Sequence, residues 1–202
     1  MENKITTEDK KRIVKGIRKK YAEASVTPKG LFKYPTGREG LEGLGYDPKI
    51  VESIPKPVID SFCGVGNPFS LGPIHEGETV LDIGCGGGFD LIFAAIMVGP
   101  KGQVTGIDVT PEMLECSKTN LKKASIENVT LRQTNAEELP FPDNNFDVII
   151  SNGVFNLIPE KAKAFSEVFR VLKLNGRLML ADQILIVELS KEQRLSAESW
   201  AQ

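Results

Sequence analysis

The run Thr79-Val-Leu-Asp-Ile-Gly-Cys-Gly-Gly-Gly-Phe-Asp90 constrains the fold of this chain more than any other stretch. Val80, Leu81 and Ile83 form an apolar run suited to a buried strand. Gly84 to Gly88 breaks that run, and Leu91 to Ile96 resumes as the opening of a buried helix. Strand, glycine turn and helix together bring backbone N–H groups and a helix N-terminus against a ligand. The glycines let the chain turn sharply where a Cβ would collide. A dinucleotide fingerprint, G-x-G-x-x-G, would need its third glycine where Phe89 stands. Asp82 lies inside the strand, just before the turn. A second acidic strand end, Asp108, follows about 20 residues past the last glycine, where an open α/β sheet places a carboxylate against ribose hydroxyls. A glycine turn alone could be only a tight turn; with a carboxylate on either side it predicts a nucleoside site.

A chain of 202 residues can bury a full core, and one domain with an appendage is the natural count. Residues 1–72 read as an N-terminal helix and a Gly/Pro-rich lid, and 73–202 as the main domain, the two forming one structural unit. A net charge of −2 gives no global attraction to nucleic acid or to an anionic membrane, so neither is expected as a partner. No apolar run is long enough to span a bilayer, and Met1-Glu-Asn-Lys lacks the apolar region of a signal peptide. Cys63, Cys85 and Cys116 make no disulfide framework and suit a reducing cytoplasm. No metal-ligand spacing occurs, and the single histidine, His75, reads as a surface residue.

Residues 6–24 read as a basic amphipathic helix capped by Thr6 and Asp9, with Ile13, Ile17, Tyr21 and Ala24 at helical spacing. A solvated helix docking one apolar stripe is the favoured reading over a membrane or nucleic-acid helix. Residues 26–47 form a Gly/Pro-rich loop, Asp47-Pro48 starts a short helix, and Val58 to Phe62 forms another. The aromatics Phe32, Tyr34, Tyr46, Phe62 and Phe69 suggest a lid over the mouth of the nucleotide site. From Thr79 onward strands alternate with helices, as in a doubly wound parallel sheet. The strands are expected at 79–83, 103–107, 129–133, 146–151 and 177–181, and the helices at 89–97, 111–124 and 160–172. Gly176 is expected to end the last of these, and a final helix to run from Ser190 to Trp200.

The pattern D-x-G-x-G-x-G from Asp82 to Gly88 resembles motif I of the class I S-adenosylmethionine-dependent methyltransferases. The resemblance runs to Ala181 through Gly106-Ile-Asp-Val-Thr-Pro-Glu-Met113, Asn135-Ala-Glu-Glu-Leu-Pro-Phe141 and Asp143 to Ser151. It implies a Rossmann-like sheet and S-adenosyl-L-methionine as cofactor. It implies further that Asp82, Gly84, Cys85 and Gly86 form the cofactor turn and that Asp108 binds the ribose. Val109 and Met113 would pack on the adenine, Asn135, Ala136 and Glu137 would reach the adenine amine, and Asn152 and Gly153 would lie beside the methionine and the transferred methyl. Several of these have plainer alternatives. Met113 could be core; Asp82 could order the glycine turn by accepting its amides; Asp90 could cap the turn or face the cofactor's amino-acid end. Asp147 reads as structural, Cys85 as a backbone contributor and Cys116 as a small buried hydrophobe.

A narrower resemblance, carried by Cys63-Gly-Val-Gly-Asn-Pro68, Ser151 to Leu157 and Phe169 to Lys173, is to the arsenite methyltransferases. It points to Cys63 and Asn67 on the substrate side. Those enzymes hold trivalent arsenic with thiolates, which bind a soft ion better than oxygen donors do. Here Gly153 stands at one thiolate position, and the third would fall beyond Gln202. The expected function is therefore methyl transfer to a small molecule, arsenite methyltransferase-like but without a complete thiolate site. A quinone or other lipid-like acceptor, or a cofactor-binding module without turnover, are the alternatives. With no evident general base, the acceptor should already be nucleophilic. The strand pair that usually ends this fold is expected to be missing, leaving a fifth-strand edge that is bare, or covered by the N-terminal region or by a second copy in a homodimer.

Overall fold

A computed structural model describes residues 6–184 and 186. Five parallel strands, β1 (Thr79–Ile83), β2 (Gln103–Asp108), β3 (Val129–Gln133), β4 (Phe146–Asn152) and β5 (Leu172–Ala181), form one sheet in the order β3-β2-β1-β4-β5. Alternation along β1 assigns its side chains to two cores. Val80 packs with α5 (Phe89–Val98), and Leu81 and Ile83 pack with α7 (Lys161–Val171) on the other face. The chain leaves β1 toward β2 on one side, while β4 lies on the other. That reversal opens a crevice at the strands' C-terminal ends, where ligands of open α/β sheets bind.

Asp147 fastens the opposite, N-terminal ends of the strands. Its carboxylate accepts from the Thr79 amide at 2.9 Å, the Thr79 hydroxyl at 2.6 Å and the Lys173 ammonium at 2.8 Å. Burial works against its charge, but the bonds from Lys173 and Thr79 outweigh it and hold the carboxyl at about 2. The structural reading of Asp147 stands.

The N-terminal region packs on the same framework. Helix α1 (Thr7–Val26) begins in a capping box between Thr6 and Asp9 and buries Ile13, Ile17 and Ala24, running beside α6 (Pro111–Lys123). Short helices α2 (Gly37–Leu41), α3 (Pro48–Ser53) and α4 (Lys56–Asp60) follow, with the Asp47 carboxylate capping α3. Tyr46 sits at the centre of an aromatic cluster, its ring 5.2–5.9 Å from those of Phe62, Phe69, Phe89 and Phe93. Much of residues 41–62 thus backs onto α5; the stretch from Ser61 to Gly64 reaches the crevice.

Two expectations change. Gly176 does not end α7: β5 begins directly at Leu172, a bulge absorbs the residues between the Phe146–Leu172 and Val148–Arg177 pairs, and Asn175 takes the left-handed turn at φ 66°. Gly176 is needed because a Cβ there would lie 2.8 Å from the Leu172 side chain. Helix α4 starts at Lys56, ahead of Val58, with Pro57 in its first turn. β5 ends at Ala181, and the next residue's carboxylate, that of Asp182, accepts from the Asn156 amide at 3.0 Å. The helix expected from Ser190 to Trp200 and the missing strand pair lie outside the described residues.

Candidate functional site

The crevice holds a cavity of about 200 Å³ floored by the turn after β1. The turn is tied to β2. The amides of Gly84 and Cys85 both donate to the Ile107 carbonyl at 2.8 and 2.9 Å, and the Gly86 amide donates to the Asp108 carboxylate at 3.0 Å. Gly84, Gly86 and Gly88 all have positive φ. A side chain on Gly88 would also meet the Ser117 hydroxyl at 2.6 Å.

Asp82 therefore does not order the turn, whose amides at 84, 85, 86 and 88 are bonded elsewhere. Instead it lines the cavity floor, 2% exposed, with Oδ2 lacking any hydrogen-bond partner. Burial, then the neighbouring Asp90 and Asp108, push its carboxyl well up. Asp90, in the first turn of α5, accepts from the Tyr46 hydroxyl at 2.7 Å and from the Asn152 amide at 2.9 Å. Burial raises it to about 6, with the bonds from Tyr46 and Asn152 pulling the other way. Asp108 is raised by burial against bonds from Thr110 and Gly86. Three aspartates thus meet one cavity, and among the described residues the cationic one that lines it is Arg18, at its exposed edge.

The other expected residues are gathered around this floor with two exceptions. Val109, Asn135, Ala136 and Glu137 line one end, the Asn135 carbonyl accepting the Glu137 amide at 2.9 Å. Asn152, Gly153, Cys63 and Cys85 line the rest. Met113 is 1% exposed and stands behind the turn, with its sulfur about 4.0 Å from where a Gly86 Cβ would lie; it is wall support and not a lining residue. Asn67 also faces away: its amide donates to the Leu44 carbonyl at 3.1 Å and its oxygen accepts the Phe69 amide at 3.0 Å, so it shapes a loop.

The thiols differ in setting. Burial, then the charges of Asp108 and Asp90, push Cys63 up to about 12. Cys116 is only half-buried, accepting the Asn120 amide at 3.7 Å, and is not the core residue expected. Gly153, at φ 72°, faces Val65, whose side chain lies 3.3 Å from where a Cβ would stand. No group of three His, Cys, Asp or Glu able to hold a metal occurs among the described residues. His75 is exposed, as expected.

The cover of the cavity differs from the aromatic lid expected, of which only Phe62 lines it. Val14, Ile17, Arg18 and Tyr21 of α1 close one side, and Leu157, Ile158 and Pro159, after β4, close another. The stripe of Ile13, Ile17, Tyr21 and Ala24 signalled a docked helix, but periodicity does not say on what it docks.

Comparison with known proteins agrees with this geometry. A methyltransferase domain family matches residues 74–202. An arsenite methyltransferase of Halobacterium salinarum is 43% identical over 149 residues, covering 74% of this chain and 38% of that protein. A demethylmenaquinone methyltransferase of Listeria welshimeri is 42% identical over 110 residues, covering 54% and 46%. The chain thus spans less than half the length of either curated relative. The crystal structure of an arsenic(III) S-adenosylmethionine methyltransferase from Chlamydomonas reinhardtii superposes with a TM-score of 0.62 at 36% identity, covering 68% of this chain and 50% of that one. A family match that takes in every strand of the sheet, together with a relative this similar over three quarters of the residues, establishes that the chain belongs to the class I S-adenosylmethionine-dependent methyltransferases.

Proposed function

We propose that the cavity binds S-adenosylmethionine and that the chain transfers its methyl group to a small-molecule acceptor. The observation that carries this is the convergence of Asp82, Asp90 and Asp108 beneath the glycine turn, with one buried carboxylate oxygen unpartnered. Buried carboxylates without a side-chain cation favour a ligand that brings its own positive charge. A ligand carrying an ammonium, a sulfonium and ribose hydroxyls meets that need. The bonds from Gly86 and Thr110 hold the Asp108 carboxylate at the cavity, which supports reading it as the acceptor for the ribose hydroxyls. Asp90 and Asp82 favour the cationic end, and Val109 and Ala136, which line the same cavity, offer apolar surface to the base.

When bound, the cofactor supplies an electrophilic methyl. The protein's share is orientation and exclusion of water. Ile17 and Tyr21 of α1, with Leu157 and Ile158, provide that cover. Cys63, Gly64, Asn152 and Gly153 line the methionine side, where an acceptor would approach. Glycine at position 153 supplies no thiolate, which supports an acceptor that is already nucleophilic over a three-thiolate metalloid site. The apolar cover and the aromatic contacts of Tyr21 with Phe32 and of Phe32 with Tyr34 favour, as a second reading, a quinone or other lipid-like acceptor.

Calorimetry with S-adenosylhomocysteine and with NADH tests the cofactor: micromolar affinity for the first and none for the second is expected. Incubation with a labelled methyl donor and arsenite, thiols or quinones then tests the acceptor. No affinity for either S-adenosylmethionine or S-adenosylhomocysteine would refute the reading.

A further inference from the structure

Tyr46 belongs to no recognisable motif, yet its hydroxyl joins the N-terminal region to the cavity. It lies 2.7 Å from Asp90 Oδ1 and 3.0 Å from the Gly66 carbonyl. Beside it, the Asn152 amide donates to Asp90 Oδ2 at 2.9 Å and to the Gly66 carbonyl at 2.8 Å. The Asn152 carbonyl accepts the amides of Val65 and Gly66 at 2.8 and 3.1 Å. Residues 65–66, from the N-terminal region, are thereby clasped to α5 and to the end of β4. Gly64 is bare because a Cβ there would collide with the Asn152 amide.

The proton count in this clasp is unusual. A phenol has one hydrogen but here two acceptors within reach. With Asp90 ionised, Tyr46 donates to Asp90 at a length suited to a charge-assisted bond. With Asp90 protonated, Asp90 donates to the Tyr46 oxygen, and Tyr46 swings its hydrogen to the Gly66 carbonyl. Asn152 keeps its bonds in both states. The polar groups of Tyr46, Asp90 and Asn152 keep partners either way.

We propose that Tyr46 is a positioning residue that lets Asp90 gain or lose its charge while residues 65–66 stay seated, so that the protonation of Asp90 sets cofactor affinity without opening the site. This rests on the cofactor reading above. The groups facing Asp90 are Asp82 from β1, Cys63 and Tyr46 from the N-terminal region and Asn152 from β4; none of them is cationic. Among the described residues, ionised Asp90 therefore has no counter-charge until a cationic ligand arrives. Its carboxyl titrates near 6, within reach of ordinary buffers.

The test measures S-adenosylmethionine affinity by calorimetry between pH 5 and 8 for the wild type, Tyr46→Phe and Asp90→Asn. Wild-type affinity should fall below about pH 6, by up to about tenfold per unit. Asp90→Asn should bind weakly and without that pH dependence. Tyr46→Phe, deprived of a bond to the ionised form, should move the midpoint up by about one unit. Global 3-fluorotyrosine labelling of the three tyrosines gives a readout that needs neither a variant nor a cofactor. The Tyr46 fluorine resonance should titrate near pH 6, while the Val65 and Gly66 amides stay protected from exchange at pH 5 and at pH 7. A Tyr46 resonance flat through this range, lost protection at pH 5, or a Tyr46→Phe midpoint equal to the wild type overturns the proposal. If the wild type binds no cofactor at any pH, the functional reading fails, and the fluorine titration still decides the clasp.

Discussion

Asp108, at the end of β2, accepts the amide of Gly86, in the turn after the neighbouring strand, at 3.0 Å. Its other oxygen accepts the Thr110 amide at 2.8 Å. One side chain thus fixes the turn beneath the cofactor and the start of α6 while facing the cavity. Asp108→Ala should lower S-adenosylhomocysteine affinity about 100-fold, since each hydrogen bond to a charged group is worth about 1.5–3 kcal/mol. Asp108→Asn, which keeps the Thr110 bond but loses the charge, should lose less. Calorimetry on both variants checks the order, and an alanine variant that binds as the wild type does would refute it.

Gly88 is held at φ 89°, and a Cβ on it would stand 2.6 Å from the Ser117 hydroxyl. Gly88→Ala should therefore destabilise the fold by about 2 kcal/mol through backbone strain and the clash together. The Ser117 hydroxyl is buried without a hydrogen-bond partner, so Ser117→Ala alone should be neutral or stabilising. The double variant should recover about 1 kcal/mol of the loss. Urea denaturation of the four proteins forms the cycle.

How far the sequence could be read follows from the range of the interactions. The glycine turn, Asp108 and the alternating strands are local patterns, and the cavity floor could be found from them. Asp82 does not take the turn's amides, because which amide reaches which carboxylate depends on the neighbouring strand, and Asp108 takes that of Gly86. Asn67 and Met113 sit in the right motifs yet face away from the cavity, and a linear pattern carries no such direction. Tyr46 reads in the sequence as one more lid aromatic, and nothing local shows that its hydroxyl reaches a residue 44 positions away. The basic face of α1 drew attention to solvent, whereas its apolar face covers the site.

Two carboxylates should give the apoprotein opposite pH dependences. Asp147, held at about 2 against an ordinary 3.8, contributes stability that is full above about pH 4 and lost as the pH falls through 2. Asp147→Asn should cost about 1–2 kcal/mol at pH 7. Asp90, raised from 3.8 to about 6, contributes stability that is full below about pH 4 and lost as the pH rises through 6. The stability difference between the wild type and Asp90→Asn should therefore change by up to about 3 kcal/mol between pH 4 and pH 7, the wild type gaining at low pH. Denaturation at three pH values checks both signs.

The cover over the cavity should control how fast ligand leaves. Two of the contacts that hold α1 in place can be separated by mutation. One is the ion pair from Lys10 to Glu160, whose side chains are 33% and 47% exposed, so solvent screens it and leaves it worth little. The other is apolar: Ile13, Ile17 and Ala24 are buried, and the Tyr21 ring lies 5.9 Å from that of Phe32. Ile17 and Tyr21 also line the cavity, so removing them loosens the cover and strips ligand contacts together. Burial of a ring this size is worth several times an exposed ion pair. Because changes within one interface act mainly on dissociation, Tyr21→Ala should raise the S-adenosylhomocysteine off-rate about tenfold with little change in on-rate. Lys10→Ala should raise it less than about threefold. Stopped-flow dissociation separates the two. An off-rate that rises equally in both would mean that the ion pair gates the site, and that the apolar face of α1 contributes packing alone.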